Sequence, residues 1–238
     1  MTLYFYVIIT QTIAHSTNYT MEKLKLLIES MINILLPKDS EVSEIEMMTD
    51  EEIMNVIEPA NDIKDCKYKA LFQYKNKIMR RGIWEIKYKG NKKIAGKFAK
   101  LLYNYILDDI SDEMTFSNFN SPLLIPIPMH KNNIQERGYN QSELILKEFC
   151  KIDTERNFEI SYDSFFKIKE TPHQSKLKNK NERLKNLKDC FNTDSNKIKN
   201  RNIILIDDVI TTGTTMREAS KTLLKAGAKK VMGFSIAH

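Results

Sequence analysis

The fold class is indicated most clearly by the stretch ILIDDVITTGTTM, from Ile204 to Met216. Its apolar start is rich in β-branched residues, which is typical of a buried strand in a parallel sheet. The strand runs into two carboxylates, Asp207 and Asp208. Because α/β sheets bind their ligands outside the carboxyl ends of the strands, the two aspartates are predicted to lie at a ligand site.

The residues that follow form a loop suited to one phosphate group, Thr211-Thr212-Gly213-Thr214-Thr215. Backbone N–H groups at the start of a helix present donors and a favourable dipole to an anion, and threonine hydroxyls add donors. Gly213 lets the backbone approach the ligand closely. The stretch lacks both the G-K-[ST] and the G-x-G-x-x-G patterns of other phosphate loops. A capped helix start alone would explain Thr214 or Thr215, but not the two aspartates.

A phosphate loop beside two carboxylates suits a ribose 5-phosphate, because carboxylates accept hydrogen bonds from vicinal hydroxyls. Strands and helices alternate around this site, which predicts an α/β domain with a mostly parallel sheet flanked by helices. The predicted strands are 68–76, 123–129, 162–169, 202–209 and 229–238, and the predicted helices are 77–89, 92–110, 141–150 and 215–228.

The N-terminal part differs in character, so we predict a helical, acidic segment over residues 1–66 and the α/β domain over 67–238. Residues 39–65 contain ten acidic residues against one lysine, a net charge of −9. The sequence around Thr20 is typical of a helix start, which makes Met21 an alternative start codon and residues 1–20 an upstream extension.

Composition excludes several protein classes. Charged residues make up 29% of the 238 residues, and no apolar run is long enough to span a bilayer. The three cysteines, Cys66, Cys150 and Cys190, form no C-x-x-C pair, so neither a zinc ribbon nor another protein-held metal site is predicted. A sparse, odd number of cysteines is typical of the reducing cytoplasm, where we expect this protein.

The overall charge of +6 is concentrated in one segment. Residues 167–201 contain eleven basic and four acidic residues, a net charge of +7. Such segregation indicates an anionic partner. A lysine-rich but merely solvated surface is the alternative, and it fits Lys178 and Lys180 better.

The stretch from Ile204 to Met216 resembles the signature of type I phosphoribosyltransferases that binds phosphoribosyl pyrophosphate (PRPP). Three further blocks resemble the ComF family within that superfamily: WEIKYKGNKKIAGKFAKLL, LLIPIPMHKNNIQERGYNQSELI and KIKETPHQSKLKNKNERLKNLKDCF. The resemblance spans residues 68–238. The chain departs from the family in lacking a four-cysteine zinc finger and in carrying Lys167 where arginine is usual.

The resemblance implies a role for each block. Asp207 and Asp208 would contact the ribose hydroxyls, and the loop from Thr211 to Thr215 would hold the 5-phosphate. Mg²⁺ would be bound through PRPP itself. Four residues would bind the pyrophosphate group: Arg137, Gln174, Lys176 and Arg183.

Two functions remain open on the sequence. The first is transfer of phosphoribosyl to an unidentified acceptor with release of pyrophosphate. The second, implied by the association of ComF proteins with transformation, is a competence factor that binds single-stranded DNA, with PRPP as a ligand. The few aromatic residues of the basic segment argue against base stacking there. A degenerate scaffold that binds no PRPP is a third alternative. Assembly into a homodimer stays open for all three.

Overall fold

The computed structural model describes residues 40–61, 63, 67–116, 119, 121–170 and 189–238. Two compact units are distinguished along the chain, Met1–Ser43 and Glu44–His238, and the sheet belongs to the second. The helix predicted from Thr20 lies outside the described residues. The domain boundary after residue 66 stays a prediction.

The secondary structure within the described residues alternates as the sequence indicates. The helices are α1 Ser40–Met47, α2 Asp50–Val56, α3 Lys77–Lys89, α4 Lys92–Phe116, α5 Lys131–Arg137, α6 Gln141–Cys150, α7 Ser195–Ile198 and α8 Thr214–Lys225. The strands are β1 Tyr68–Phe72, β2 Leu123–Pro126, β3 Glu159–Ile160, β4 Phe165–Lys167, β5 Phe191–Thr193, β6 Asn202–Val209 and β7 Lys230–Ala237. No helix among these is both long and apolar enough to cross a membrane.

The main sheet, as far as the chain is described, has five parallel strands in the order β1-β7-β6-β2-β3. β6 is central, and its residues from Ile203 to Ile206 are fully buried. Its register sets Asp207 beside Ser235 of β7. The predicted fold class, a mostly parallel sheet flanked by helices, is confirmed.

One predicted strand lies outside this sheet. β4, part of the segment 162–169, pairs antiparallel with β5 in a separate two-stranded sheet. Phe165 and Phe191 are buried, and their ring centroids lie 5.0 Å apart. This aromatic contact helps to hold β4 and β5 together. This small sheet brings Lys167 to the site described below.

Residues 44–61 belong to the second unit, and α4 neutralises part of their negative charge. Lys100 Nζ lies 2.5 Å from Asp50, and Lys93 Nζ lies 3.7 Å from Glu46. Both lysines are largely exposed, so the pairs contribute little to stability. A capping box begins α2, with Thr49 and Glu52 each accepting a hydrogen bond from the other's backbone N–H.

The packing of α3 on α4 depends on Gly82, and α3 carries residues of the candidate site. A Cβ at Gly82 would lie 2.6 Å from a ring carbon of Phe98, which is fully buried. At Gly96 of α4, the nearest atom to a new Cβ would be Glu148 Oε2 at 3.8 Å.

We therefore expect opposite effects from the same substitution at these two glycines. Gly82→Ala should lower the free energy of unfolding by about 1 kcal/mol, because overpacking costs about 1–3 kcal/mol and outweighs the gain in helix propensity. Gly96→Ala should raise it by up to about 1 kcal/mol. Urea unfolding of both variants measures these differences. Equal stabilisation by both would contradict the packing at Phe98.

Candidate active site

A cavity of about 570 Å³ opens at the carboxyl ends of β2 and β6. It brings together five of the residues predicted for ligand binding: Arg137, Asp207, Asp208, Thr211 and Thr215. The other residues that line it include Tyr74, Trp84, Lys87, Tyr88, Pro128, Gln141 and Lys167.

Asp207 is held by α6. Its Oδ1 accepts hydrogen bonds from the Ser142 hydroxyl at 2.8 Å and from the backbone N–H of Asp208 at 3.0 Å. Both aspartates and Ser142 are buried. The Asp207 carboxyl group is therefore fixed in orientation at the floor of the cavity.

Asp208 is held by an ion pair that the sequence did not reveal. Lys87 Nζ of α3 lies 2.9 Å from Asp208 Oδ2. The side-chain amide of Gln141 donates a longer hydrogen bond to Asp208 Oδ1 at 3.5 Å. Three elements, β6, α3 and α6, thus meet at this one carboxylate.

The two carboxyl groups differ in charge state. Burial and the neighbouring Asp208 charge raise the pKa of Asp207 to about 8. Burial also opposes ionisation of Asp208, but the charge and hydrogen bond of Lys87 outweigh it and lower the pKa of Asp208. Protonation is therefore favoured on Asp207, and the negative charge is favoured on Asp208, where Lys87 compensates it.

The raised pKa of Asp207 predicts a pH-dependent effect on stability. The unfolded chain loses the Asp207 proton near pH 4, whereas the folded protein keeps it to about pH 8, so stability falls as the pH rises through this window. Asparagine cannot ionise. The free energy of unfolding of Asp207→Asn minus that of wild type should therefore increase with pH. The increase should be at most about 1.4 kcal/mol per pH unit.

Urea unfolding between pH 5 and pH 8 measures this difference. The matched control is Asp163→Asn, an exposed aspartate whose pKa is lowered by a hydrogen bond from Lys197. That carboxyl group is ionised throughout the range. The free energy of unfolding of Asp163→Asn minus that of wild type should therefore not change with pH. If the difference for Asp207→Asn also does not change with pH, Asp207 does not hold a proton in the folded protein.

The predicted phosphate loop begins α8. Gly213 has a φ of 69°, in the left-handed region that favours glycine. The hydroxyls of Thr212 and Thr214 lie 2.8 Å apart, and Arg217 donates to the Thr212 carbonyl at 2.5 Å. Thr211 and Thr215 line the cavity, while Thr212, Gly213 and Thr214 form the turn between them.

The sequence RGYNQ, residues 137–141, builds the opposite wall. Gly138 ends α5 with a φ of 88°, which turns the chain towards α6. Asn140 caps α6 by accepting from the Ser142 N–H and donates to the Ile127 carbonyl at 2.9 Å, which fixes α6 to the end of β2. Arg137 donates to Gln141 Oε1 at 2.7 Å, and the amide group of Gln141 in turn contacts Asp208.

The remaining predicted site residues, Gln174, Lys176 and Arg183, lie outside the described residues. Their assignment to pyrophosphate stays a prediction. Lys167 of β4 lies in the cavity wall instead, and burial lowers the pKa of its ammonium group.

The described residues offer no group of three or more His, Cys, Asp or Glu side chains that could hold a metal ion. The two acidic groups in the cavity are Asp207 and Asp208, and the latter is already paired with Lys87. This donor set fits a Mg²⁺ ion whose ligands come mainly from a bound phosphate compound.

Two exposed aromatic rings stand at the mouth of the cavity. Trp84 and Tyr88 are 40% and 57% exposed, and their ring centroids lie 5.5 Å apart. Arg81 lies 4.9 Å from the Trp84 ring centroid, and Arg137 lies 5.4 Å from that of Tyr88. Sequence analysis did not identify this pair, although the two residues are four positions apart on α3 and so lie on one face of the helix.

Comparison with known proteins identifies related sequences. A family model, "Phosphoribosyl transferase domain", matches residues 156–236. "Competence protein ComFC" of Bacillus subtilis is 30% identical over 170 residues, which are 71% of this chain and 62% of that protein. "Competence protein F" of Haemophilus influenzae is 32% identical over 117 residues, 48% of this chain and 49% of that protein.

A third relative is "DNA utilization protein YhgH" of Escherichia coli O157:H7. It is 27% identical over 154 residues, 63% of this chain and 62% of that protein. The chain therefore spans less than two thirds of the length of these curated relatives.

Proposed function

Because the chain belongs to the ComF-like branch of the type I phosphoribosyltransferase superfamily, we propose that its cavity binds PRPP and transfers the phosphoribosyl group to an acceptor. The observation that carries this proposal is the placement of the buried pair Asp207–Asp208 in one cavity with Thr211 and Thr215. The carboxyl groups would bind the ribose hydroxyls, and the threonine loop would bind the 5-phosphate.

The proposed reaction breaks the bond between C1 of the ribose and the pyrophosphate oxygen. A bond from C1 to the acceptor forms, and the acceptor's proton passes to solvent or to a cavity base. The negative charge on Asp208 would stabilise the positive charge that develops on the ribose ring. Mg²⁺, bound through PRPP oxygens, would neutralise the departing pyrophosphate.

Arg137 and Lys167, which both line the cavity, would bind the pyrophosphate group. Arg137 is oriented by Gln141, and Lys167 by the small sheet of β4 and β5. Gln174, Lys176 and Arg183 are proposed to complete this subsite.

Pyrophosphate release tests the proposed reaction. The full chain is incubated with PRPP and Mg²⁺ and with individual candidate acceptors, and pyrophosphate is quantified. The proposal expects release that depends on one acceptor class and is lost in Asp208→Asn. If PRPP binds but no acceptor produces release above the background hydrolysis of PRPP, transfer is contradicted and PRPP is a ligand only.

A second function is favoured by a specific observation at the cavity mouth. The relatives are named for competence and DNA utilisation, and the exposed rings of Trp84 and Tyr88 are flanked by Arg81 and Arg137. Aromatic rings stack with bases, and arginines pair with phosphates. We therefore propose single-stranded DNA as the alternative ligand of this surface.

The DNA proposal predicts a large effect of Trp84→Ala. Stacking contributes about 1–3 kcal/mol per base, so the affinity for a single-stranded oligonucleotide should fall roughly 5- to 150-fold. Fluorescence anisotropy across a salt series measures the affinity. Trp84 is the single tryptophan of the chain, so quenching of its fluorescence reports contact directly.

Tyr162→Ala is the control, because Tyr162 is also exposed and lies 5.7 Å below a cation, Lys147. Its substitution should leave the affinity unchanged. Equal losses in both variants, or no quenching of Trp84 by saturating oligonucleotide, would contradict stacking at the cavity mouth.

A further inference from the structure

A second cavity, of about 460 Å³, lies beside α8 and shares no lining residue with the first. Four of its lining side chains are basic: Lys67, Arg217, Lys221 and Lys225. No acidic residue lines it within the described part of the chain, although Glu218 Oε2 lies 3.7 Å from Lys221 Nζ. Like charges gathered around one concave surface raise the local concentration of anions.

Ser220 adds an unpaired polar residue to the cavity wall. It is 6% exposed, and its hydroxyl oxygen, which is shielded from solvent, has no hydrogen-bond partner among the described residues. Leaving a buried hydroxyl unpaired costs about 1–3 kcal/mol. Rotation of this side chain towards a bound anion would relieve that cost.

Arg217 connects this cavity to the predicted phosphate loop. Its Nη2 donates to the Thr212 carbonyl at 2.5 Å, and its guanidinium group packs against Gly213, where a Cβ would lie 3.4 Å from Nη1. An anion in the second cavity would compete with Thr212 for the same guanidinium group. The phosphate loop would then lose its hydrogen bond from Arg217 and the nearby positive charge of that guanidinium group.

We propose that the second cavity binds a phosphate-bearing small molecule and that its occupation weakens ligand binding at the loop from Thr211 to Thr215. The coupling rests on the proposed function, whereas the anion site does not. Coupling between two sites is reciprocal, so PRPP should weaken anion binding by the same factor. The apolar part of the lining, Tyr68 and Leu224, favours a nucleotide over a bare anion.

The test uses two probes, inorganic tripolyphosphate and ATP, each titrated calorimetrically against the full chain without Mg²⁺. The variant is Lys221→Gln with Lys225→Gln, two residues on the solvent side of α8. Its matched control is Lys92→Gln with Lys93→Gln, at the start of α4. We expect the probes to bind one site about tenfold more weakly in the first variant than in wild type. Their affinity should be unchanged in the control variant.

The outcomes separate the two parts of the proposal. Tighter binding of ATP than of tripolyphosphate supports a nucleotide ligand, and the reverse supports an inorganic polyphosphate. PRPP affinity should fall with added probe more steeply in wild type than in the Lys221→Gln, Lys225→Gln variant. Equal slopes overturn the coupling, and unchanged probe binding in that variant overturns the site. Absence of PRPP binding with the anion site intact would instead contradict the proposed function.

Discussion

Asp208→Asn is expected to weaken PRPP binding roughly 10- to 150-fold in the presence of Mg²⁺. Asp208 is the ionised member of the pair, because Lys87 lowers its pKa while Asp207 keeps its proton. Hydrogen bonds to a charged acceptor contribute about 1.5–3 kcal/mol, which corresponds to this loss of affinity. Asparagine has the same shape but removes the charge and leaves Lys87 without its partner carboxylate.

Isothermal titration of PRPP into wild type and variant measures the effect. Asp163→Asn serves again as the control, because its carboxylate is exposed and pairs with Lys197 rather than with cavity residues. Circular dichroism should show that both variants are folded. If the PRPP affinity of Asp208→Asn is unchanged, the carboxylate pair does not belong to the PRPP-binding site.

Lys87→Gln is expected to shift the pH dependence of PRPP binding to higher pH. The charge of Lys87 is what keeps the pKa of Asp208 low against the effect of burial. Without it, Asp208 holds a proton at low pH and ionises only as the pH rises. Relative to wild type, the affinity of the variant should therefore be lowest at the acidic end of the pH range and recover as the pH rises, by at most about tenfold per pH unit.

The shape of this profile separates two roles of Lys87. A lysine that only contacted the pyrophosphate would, when replaced, lower the affinity by a constant factor at every pH. Lys87→Arg retains the charge and should restore the wild-type profile, while Lys92→Gln on the neighbouring helix should not alter it. A constant factor between pH 6 and pH 9 would contradict the positioning of Asp208 by Lys87.

The central elements could be predicted because their sequence patterns are strong. β6 is a continuous buried run, and its bounds, Asn202–Val209, are those predicted. The helix Gln141–Cys150 was likewise predicted at its observed ends. Short elements were missed for a physical reason: α5 buries no residue, and β3 has two residues, so neither carries a periodic signal.

The candidate site could be predicted where one stretch of chain contains it. The aspartate pair and the threonine loop are adjacent in sequence and follow from the strand-to-helix connection. The ion pair of Lys87 with Asp208 joins α3 to β6, and sequence spacing carries no information about such a contact. Lys87 was nevertheless visible as part of the block that resembles the ComF family, and Gln141 and Asn140 were visible in RGYNQ.

A crystal structure of the protein with PRPP and Mg²⁺ would show directly whether the cavity is the PRPP site. We expect electron density for the ribose hydroxyls within hydrogen-bond distance of Asp207 and Asp208, with the 5-phosphate against the N–H groups from Thr211 to Thr215. Density for PRPP elsewhere, or an empty cavity at saturating PRPP, would contradict this expectation.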